Sequence, residues 1–173
     1  GAKTTGTVTV TNAVAISGNT SESTAALVTT GSLVEVSDAT VTLSDTPSIS
    51  ALNAIAGKTT GVVTATLAAD SLSNLGSLTT AGTDAITITV NDADAASVTA
   101  ANLSTLGGKT SGTVTVTNAV AISGSRAEAT AALVTTGTLV EVSDATVTIN
   151  DADATALNAS DLSAIGAKTT GTV

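Results

Sequence analysis

Valine and isoleucine alternate with Thr, Ser and Ala in six stretches of the chain. In the first stretch Val8, Val10, Val14 and Ile16 all fall on one parity. Alternation of β-branched residues with period two is typical of strands that bury one face. Strands are therefore predicted within residues 7–17, 33–44, 61–67, 85–91, 112–123 and 139–150.

In the first two stretches a polar residue interrupts the alternation. Asn12 and Asp38, each followed by Ala, lie near the middle of their stretches. No Asn-Gly or Asp-Gly pair is present, and those pairs favour tight hairpins. The two positions therefore predict a bend or bulge within a strand.

Short helices are predicted between the strands. Asn19 with Glu22, and Ser125 with Glu128, have the spacing of an N-cap and its N3 partner. Pro47 stands at a helix-start position before a run of apolar residues at intervals of three. Two further helices carry matching apolar residues, at Val98, Leu103 and Leu106, and at Leu157, Leu162 and Ile165.

Two long segments of the chain recur almost letter for letter, and a third recurs at about half of its positions. Residues 111–124 repeat residues 5–18, residues 131–148 repeat residues 25–42, and residues 150–168 repeat residues 91–109. The pattern predicts an α/β fold: a right-handed solenoid of parallel strands and short helices, with roughly 25 to 30 residues per coil. An all-β solenoid, with turns in place of helices, is the alternative. Residues 1–173 are expected to form a single repeat array.

The octamer GAKTTGTV occurs both at residues 1–8 and at residues 166–173. The array therefore finishes within the module with which it begins, and neither segment has the atypical polar sequence of a solenoid cap. We expect a segment of a longer assembly, formed either by covalent tandem repeats or by head-to-tail stacking of copies into a filament.

Composition excludes several classes of function. The 173 residues include no His, Cys, Met or aromatic residue, and the net charge is −9. Without His or Cys the usual proton shuttles, thiolate nucleophiles and zinc ligands are missing. The acidic charge disfavours nucleic acid. We therefore expect a protein that is not an enzyme, binds no nucleic acid and has no transmembrane segment, since no apolar run is long enough to span a membrane. The first residues have neither a signal-peptide pattern nor an initiator Met, so we expect a mature segment or an excised piece of a longer protein.

The acidic NDAD motifs are the only candidate metal sites in the sequence. Asp92 and Asp94, and likewise Asp151 and Asp153, are separated by one residue. Such carboxylates could ligate calcium, although no EF-hand loop or calcium-binding nonapeptide repeat is present. In the alternative interpretation, one Asp of each pair caps the next helix and the other faces solvent.

A K-T-[ST]-G motif occurs four times, and each copy has its lysine at the end of a predicted helix. The lysines are Lys3, Lys58, Lys109 and Lys168. A cation in this position interacts favourably with the helix dipole. A lysine isopeptide crosslink is the alternative, and it would need a buried carboxylate next to the lysine.

Three long strings resemble the repeats of giant cell-surface proteins of marine cyanobacteria and other marine bacteria, of the swimming-associated type. They are SDTPSISALNAIAGKTTGVVTATL, ITITVNDADAASVTAANLSTLGGKTSGTVTVTNAVAISG and AEATAALVTTGTLVEVSDATVTINDAD. The resemblance implies an extracellular, structural role at the cell surface, in a fibre, filament or surface layer. It implies no catalytic or ligand-binding residue.

A binding module is the competing interpretation. In that case the chain is an adhesin or phage tail-fibre segment that recognises a surface glycan or a receptor. The many Ser and Thr side chains are compatible with glycan binding or O-glycosylation but specify neither. Loop insertions confined to one face would favour this class.

Overall fold

The computed structural model describes residues 1–173 and contains ten short strands, six α-helices and one 3₁₀ turn. The strands are β1 (Val8–Thr9), β2 (Ala15–Gly18), β3 (Val34–Glu35), β4 (Thr40–Leu43), β5 (Val63–Thr66), β6 (Ala85–Val90), β7 (Ser97–Thr99), β8 (Val114–Val116), β9 (Ala121–Gly124) and β10 (Thr146–Ile149). The helices are α1 (Thr20–Leu27), α2 (Ile49–Ala56), α3 (Leu72–Leu75), α4 (Ala100–Gly107), α5 (Arg126–Leu133) and α6 (Ala159–Gly166), and the 3₁₀ turn spans Thr136–Thr138.

Capping side chains set where the helices begin. Asn19 accepts a hydrogen bond from the N–H of Glu22, and the Glu22 carboxylate accepts one from the N–H of Asn19, both at 2.9 Å. Ser125 and Glu128 form the same capping box at the start of α5. These boxes confirm the spacing rule on which the two helices were predicted. Pro47 lies one residue before Ser48, which is the N-cap of α2.

All paired strands are parallel, and they form three sheets. Five strands lie in the order β2-β4-β5-β6-β8, three in the order β7-β9-β10, and two in the order β1-β3. Neighbours in each sheet therefore follow chain order. Strand β6 joins two ladders, because Ala85–Thr87 pair with β5 and Ile88–Val90 pair with β8.

The predicted bends are confirmed, and one strand was missed. The chain turns between β1 and β2, around Asn12, and between β3 and β4, around Asp38. The placement of Val98 and Leu157 in helices was wrong. Val98 belongs to β7, which pairs with β9, and Leu157 precedes α6. The sequence around Val98 gives little strand signal of its own, so the pairing with β9 determines its conformation.

A single apolar core runs between the strands and the helices. Its 29 buried residues include strand residues such as Val41 and Ile86 and helix residues such as Leu52 and Leu103. Helix α1 packs against α2, and α5 packs against both α4 and α6. The structure therefore confirms an α/β class with parallel strands and short helices, and the all-β alternative is wrong. No sheet closes on itself.

Candidate functional site

The first Asp of each NDAD motif hydrogen-bonds to the start of a helix that precedes it in the chain. Asp92 Oδ2 accepts from the N–H of Leu72 at 2.7 Å, and Asp151 Oδ2 accepts from the N–H of Arg126 at 2.6 Å. These N–H groups lie in the first turns of α3 and α5 and have no partner within the helix. The expectation that such an Asp would cap the next helix was therefore wrong in direction.

Sequence reasoning missed a third member of this set, Asp45. Its Oδ1 accepts hydrogen bonds from the hydroxyl and the N–H of Thr20, at 2.6 and 2.7 Å. The hydroxyl of Thr20 is the main cause of a lowered pKa at the Asp45 carboxyl, and its N–H adds to the effect. Asp45 lacks the NDAD context, so only its position after β4 could have indicated this role.

The second Asp of the motif faces the following strand. Asp94 Oδ1 accepts from the N–H of Ala119 at 3.1 Å, and the N–H of Ala95 donates to the carbonyl of Ala119 at 2.8 Å. Ala95 and Ala154 both adopt left-handed backbone conformations, with φ of 60° and 64°. The bend after the second Asp is thus the same in both copies, although Asp153 has no strand beside it.

The structure does not bring the four predicted calcium ligands into one cluster. Asp92 and Asp94 lie between β6 and β7, and they bind backbone groups of an earlier and a later segment, at Leu72 and Ala119 respectively. No group of three or more acidic side chains that could hold a metal ion is present. As arranged, Asp92, Asp94 and Asp151 connect neighbouring strands and helices, which is a structural use of a carboxylate.

The threonines of the K-T-[ST]-G motif donate hydrogen bonds to backbone carbonyls of an earlier segment of the chain. Thr59 Oγ1 donates to the carbonyl of Ala39 at 2.6 Å, and the N–H and hydroxyl of Thr60 donate to Ser37 at 2.9 and 3.0 Å. Thr169 and Thr170 bind the carbonyls of residues 145 and 143 in the same way. The motif at residues 3–6 has no such acceptor and makes only local bonds.

The glycine of the motif is required because two backbones come very close. A Cβ at Gly61 would lie 2.4 Å from the carbonyl oxygen of Ala39, and one at Gly171 would lie 2.3 Å from that of Ala145. Any side chain at these positions would clash with backbone atoms that cannot move aside. The glycine therefore permits the threonine bonds next to it.

Three of the four motif lysines lie two residues after a helix, as predicted, whereas Lys3 has no helix before it. Lys58, Lys109 and Lys168 follow α2, α4 and α6 in this way. The ammonium of Lys109 donates to the carbonyl of Leu78. The only ion pair in the structure joins Arg126 to Asp161, so no lysine has the adjacent carboxylate that an isopeptide crosslink needs.

Two buried polar side chains in the middle of the chain form hydrogen bonds with backbone groups of other segments. Asp84, which is 4% exposed, accepts hydrogen bonds from the N–H groups of Val63 and Ala81 at 2.8 and 2.9 Å. Thr110 accepts from the N–H of Ile86 at 2.8 Å and donates to a neighbouring carbonyl. Their oxygens are thus used to satisfy backbone groups. The sequence indicated neither role, because each depends on partners more than 20 residues away.

The segment at residues 8–18, which we call the leading edge, is identical in sequence to residues 114–124. Its strands β1 and β2 each have one neighbour, whereas β9 pairs with both β7 and β10. Val14 is 36% exposed, whereas its equivalent Val120 is fully buried. The same sequence is therefore more exposed where no strand precedes it.

The segment at residues 146–158, which we call the trailing edge, lacks a following strand. Its equivalent is residues 87–99, and both contain NDADA. Leu157 is 39% exposed, whereas the equivalent Val98 is 6% exposed and lies in β7. An open apolar groove remains at the trailing edge, lined by Val147, Ile149, Leu157, Leu162 and Val173.

These two edges are the candidate functional surface, since both expose backbone groups and apolar side chains that are buried elsewhere in the molecule. No helix of the structure is long and apolar enough to cross a membrane. Comparison of the chain with protein-family models, with curated proteins and with solved structures gives no match.

Proposed function

We propose that the chain is a structural, non-catalytic repeat segment of an extracellular cell-surface fibre, filament or surface layer. In this proposal residues 1–173 form one right-handed solenoid, and they continue into further copies of the same array, in tandem or by stacking. The order of the strands supports a solenoid, because each strand pairs with its nearest equivalents along the chain.

The proposal rests on the sequence VTVTNAVAISG, which occurs once at an edge of the structure and once in its interior. Residues 114–124 show how this sequence packs when strands lie on both sides, and the identical residues 8–18 have the same strands with one side open. A fold that repeats its own interface can extend without a new kind of contact. An extended array is what a fibre requires.

The polar side chains support a structural role as well. Asp45, Asp84, Asp92 and Asp151 all bind backbone N–H groups of neighbouring segments. Threonine hydroxyls of the K-T-[ST]-G motifs do the same with carbonyls. These carboxylates and hydroxyls thus hold neighbouring segments together. The resemblance to giant bacterial surface proteins agrees with a location outside the cell.

Immunogold electron microscopy of the source cells tests the proposal. Antibodies raised against the folded chain are expected to label surface fibres or a surface layer at regular axial intervals. Labelling confined to the cell interior would overturn the extracellular assignment. Saturable binding of one glycan on a glycan array would instead support an adhesin, the competing class.

A further inference from the structure

The interior of the molecule contains one interface between an NDADA segment and a VTVTNAVAISG segment. Strand β6 pairs with β8, with Val90 opposite Val116, and β7 pairs with β9, with Val98 opposite Ile122. Between these strands the Asn118 side chain donates to the carbonyl of Asp92 at 2.7 Å. Side-chain and backbone hydrogen bonds thus join the bend between β6 and β7 to the bend between β8 and β9.

The two halves of this interface recur separately at the two edges. The trailing edge carries NDADA at residues 150–154, and the leading edge carries the whole of VTVTNAVAISG. Ala154 already has the left-handed conformation that lets Ala95 donate to Ala119. The bend at Ala154 therefore already has the backbone conformation that the interior interface uses, which reduces the ordering cost of binding at this position.

We propose that the leading edge of a second copy of this chain docks on the trailing edge of the first, in parallel and in the register of the interior interface. The inference rests on the proposed function and specifies its partner and its contact residues. The interior pairs place Val10 of the second copy opposite Ile149, and Ile16 opposite Leu157.

The polar contacts of this interface follow from the same equivalence. Asn12 of the second copy takes the place of Asn118 and donates to the carbonyl of Asp151. The N–H of Ala13 donates to the carboxylate of Asp153, as that of Ala119 does to Asp94. Asp153 thereby gains the partner that its equivalent already has.

The apolar surfaces on the two edges also complement each other. Val14 and Leu157, at 36% and 39% exposed, are two of the four large apolar side chains that remain exposed. In the interior their equivalents Val120 and Val98 are 0% and 6% exposed. A second copy in the proposed register would cover both side chains at once.

In the proposed register, the octamer of the second copy competes with the octamer of the first for one position. Residues 166–173 already occupy the carbonyls of residues 143 and 145 through Thr169 and Thr170. Residues 1–8 of the second copy have the same sequence and would require the same position. They must turn away, so that Thr9 of the second copy follows Val173 of the first in space. Removal of residues 1–7, which are exposed, is therefore expected to tighten association.

Cysteine crosslinking tests the register directly, because the chain has no cysteine of its own. Chains carrying Ile16→Cys are mixed with chains carrying Leu157→Cys and then oxidised. Adjacent strands lie about 4.8 Å apart, a separation that a disulfide spans. We expect a mixed dimer to form at least about tenfold faster than in the control mixture, in which Ser73→Cys, exposed on α3, replaces Leu157→Cys.

Three other results would overturn the proposal. Equal crosslinking in the test and control mixtures would exclude the register. Faster homodimer formation by either single variant would indicate a two-fold dimer. Sedimentation of the full chain as a monomer from micromolar to millimolar concentration would exclude the second copy as the partner.

A second measurement avoids dependence on weak association. Residues 9–28 are appended after Val173, so that the proposed partner is present within one chain. We expect the single thiol of this extended Leu157→Cys variant to react with a thiol reagent at least about tenfold more slowly than that of the unextended variant, because the appended strand buries it. An unchanged reaction rate would overturn the register.

Failure of the inference and failure of the proposed function are distinguishable. If the crosslinks fail while antibodies label surface fibres, the chain is a fibre component joined by another contact. If the crosslinks form while the fibres stay unlabelled, the interface stands and the cellular role is wrong.

Discussion

The identical segments 8–18 and 114–124 allow a matched pair of substitutions, Val120→Ala and Val14→Ala. The two valines have the same sequence neighbours, and they differ in exposure, at 0% and 36%. Any difference in the free energy of unfolding between the two variants therefore reports the packing of the preceding strand. Intrinsic strand propensity contributes equally to both.

The magnitude follows from what each alanine removes. Deletion of two methyl groups from a buried site costs about 1.6 kcal/mol in transfer free energy, at about 0.8 kcal/mol per group. The cavity left at Val120 adds about 1 kcal/mol. The open surface at Val14 leaves no enclosed cavity and part of the side chain is already in water, so about 1 kcal/mol or less is expected there. The predicted difference is about 1.5 kcal/mol.

Urea unfolding followed by circular dichroism measures this difference. The protein is kept at low micromolar concentration, so that the leading edge is not covered by another copy. Unchanged m-values in both variants would indicate that the unfolded states are equivalent. Equal losses at the two positions, or a greater loss at Val14, would refute the argument that the preceding strand buries Val120.

Four further outcomes are expected. Asp84→Asn should lower the free energy of unfolding by about 2 kcal/mol in urea titrations, because one amide oxygen cannot replace two carboxylate acceptors for buried N–H groups. Ser23→Ala should raise the melting temperature, since the buried Ser23 hydroxyl has no partner and Ala129 occupies the equivalent position. The lowered pKa of Asp45 should contribute stability that is present above the unfolded-state pKa and is lost as the pH falls through the folded-state pKa; carboxyl NMR titration should show this pKa rising in Thr20→Val. The melting temperature should be the same in chelator and in millimolar calcium, because the NDAD carboxylates bind backbone groups of an earlier and a later segment; a rise with calcium would restore the metal-site interpretation.

Local signals in the sequence were sufficient for the two helices with capping boxes and for the bends, whereas α3 was not predicted. The capping boxes at Asn19 and Ser125 depend on residues three positions apart, and the structure contains both. The bends around Asn12 and Asp38 were likewise visible as interruptions of an alternating pattern. Each of these features is determined by neighbours in sequence, so a single segment is sufficient to predict it.

Contacts between distant segments were not predictable in the same way. Strand β7 forms because β9 pairs with it, whereas the equivalent residues 156–158 have no partner and form no strand. The roles of Asp45 and Asp84 depend on N–H groups more than 20 residues away. Sequence periodicity indicates which side chains face the core, but it does not identify the backbone group that each carboxylate meets.

The order of the strands has a mechanical consequence. Because the strands of each sheet lie in chain order, tension applied at residues 1 and 173 would detach the outermost strand from its sheet before it loads the next one. Each strand and helix that detaches would release roughly 25 residues, or about 85 Å of extended chain. If copies join as proposed above, the resulting filament would lengthen in steps under load and refold when released, so that it would absorb a sudden pull without breaking a covalent bond.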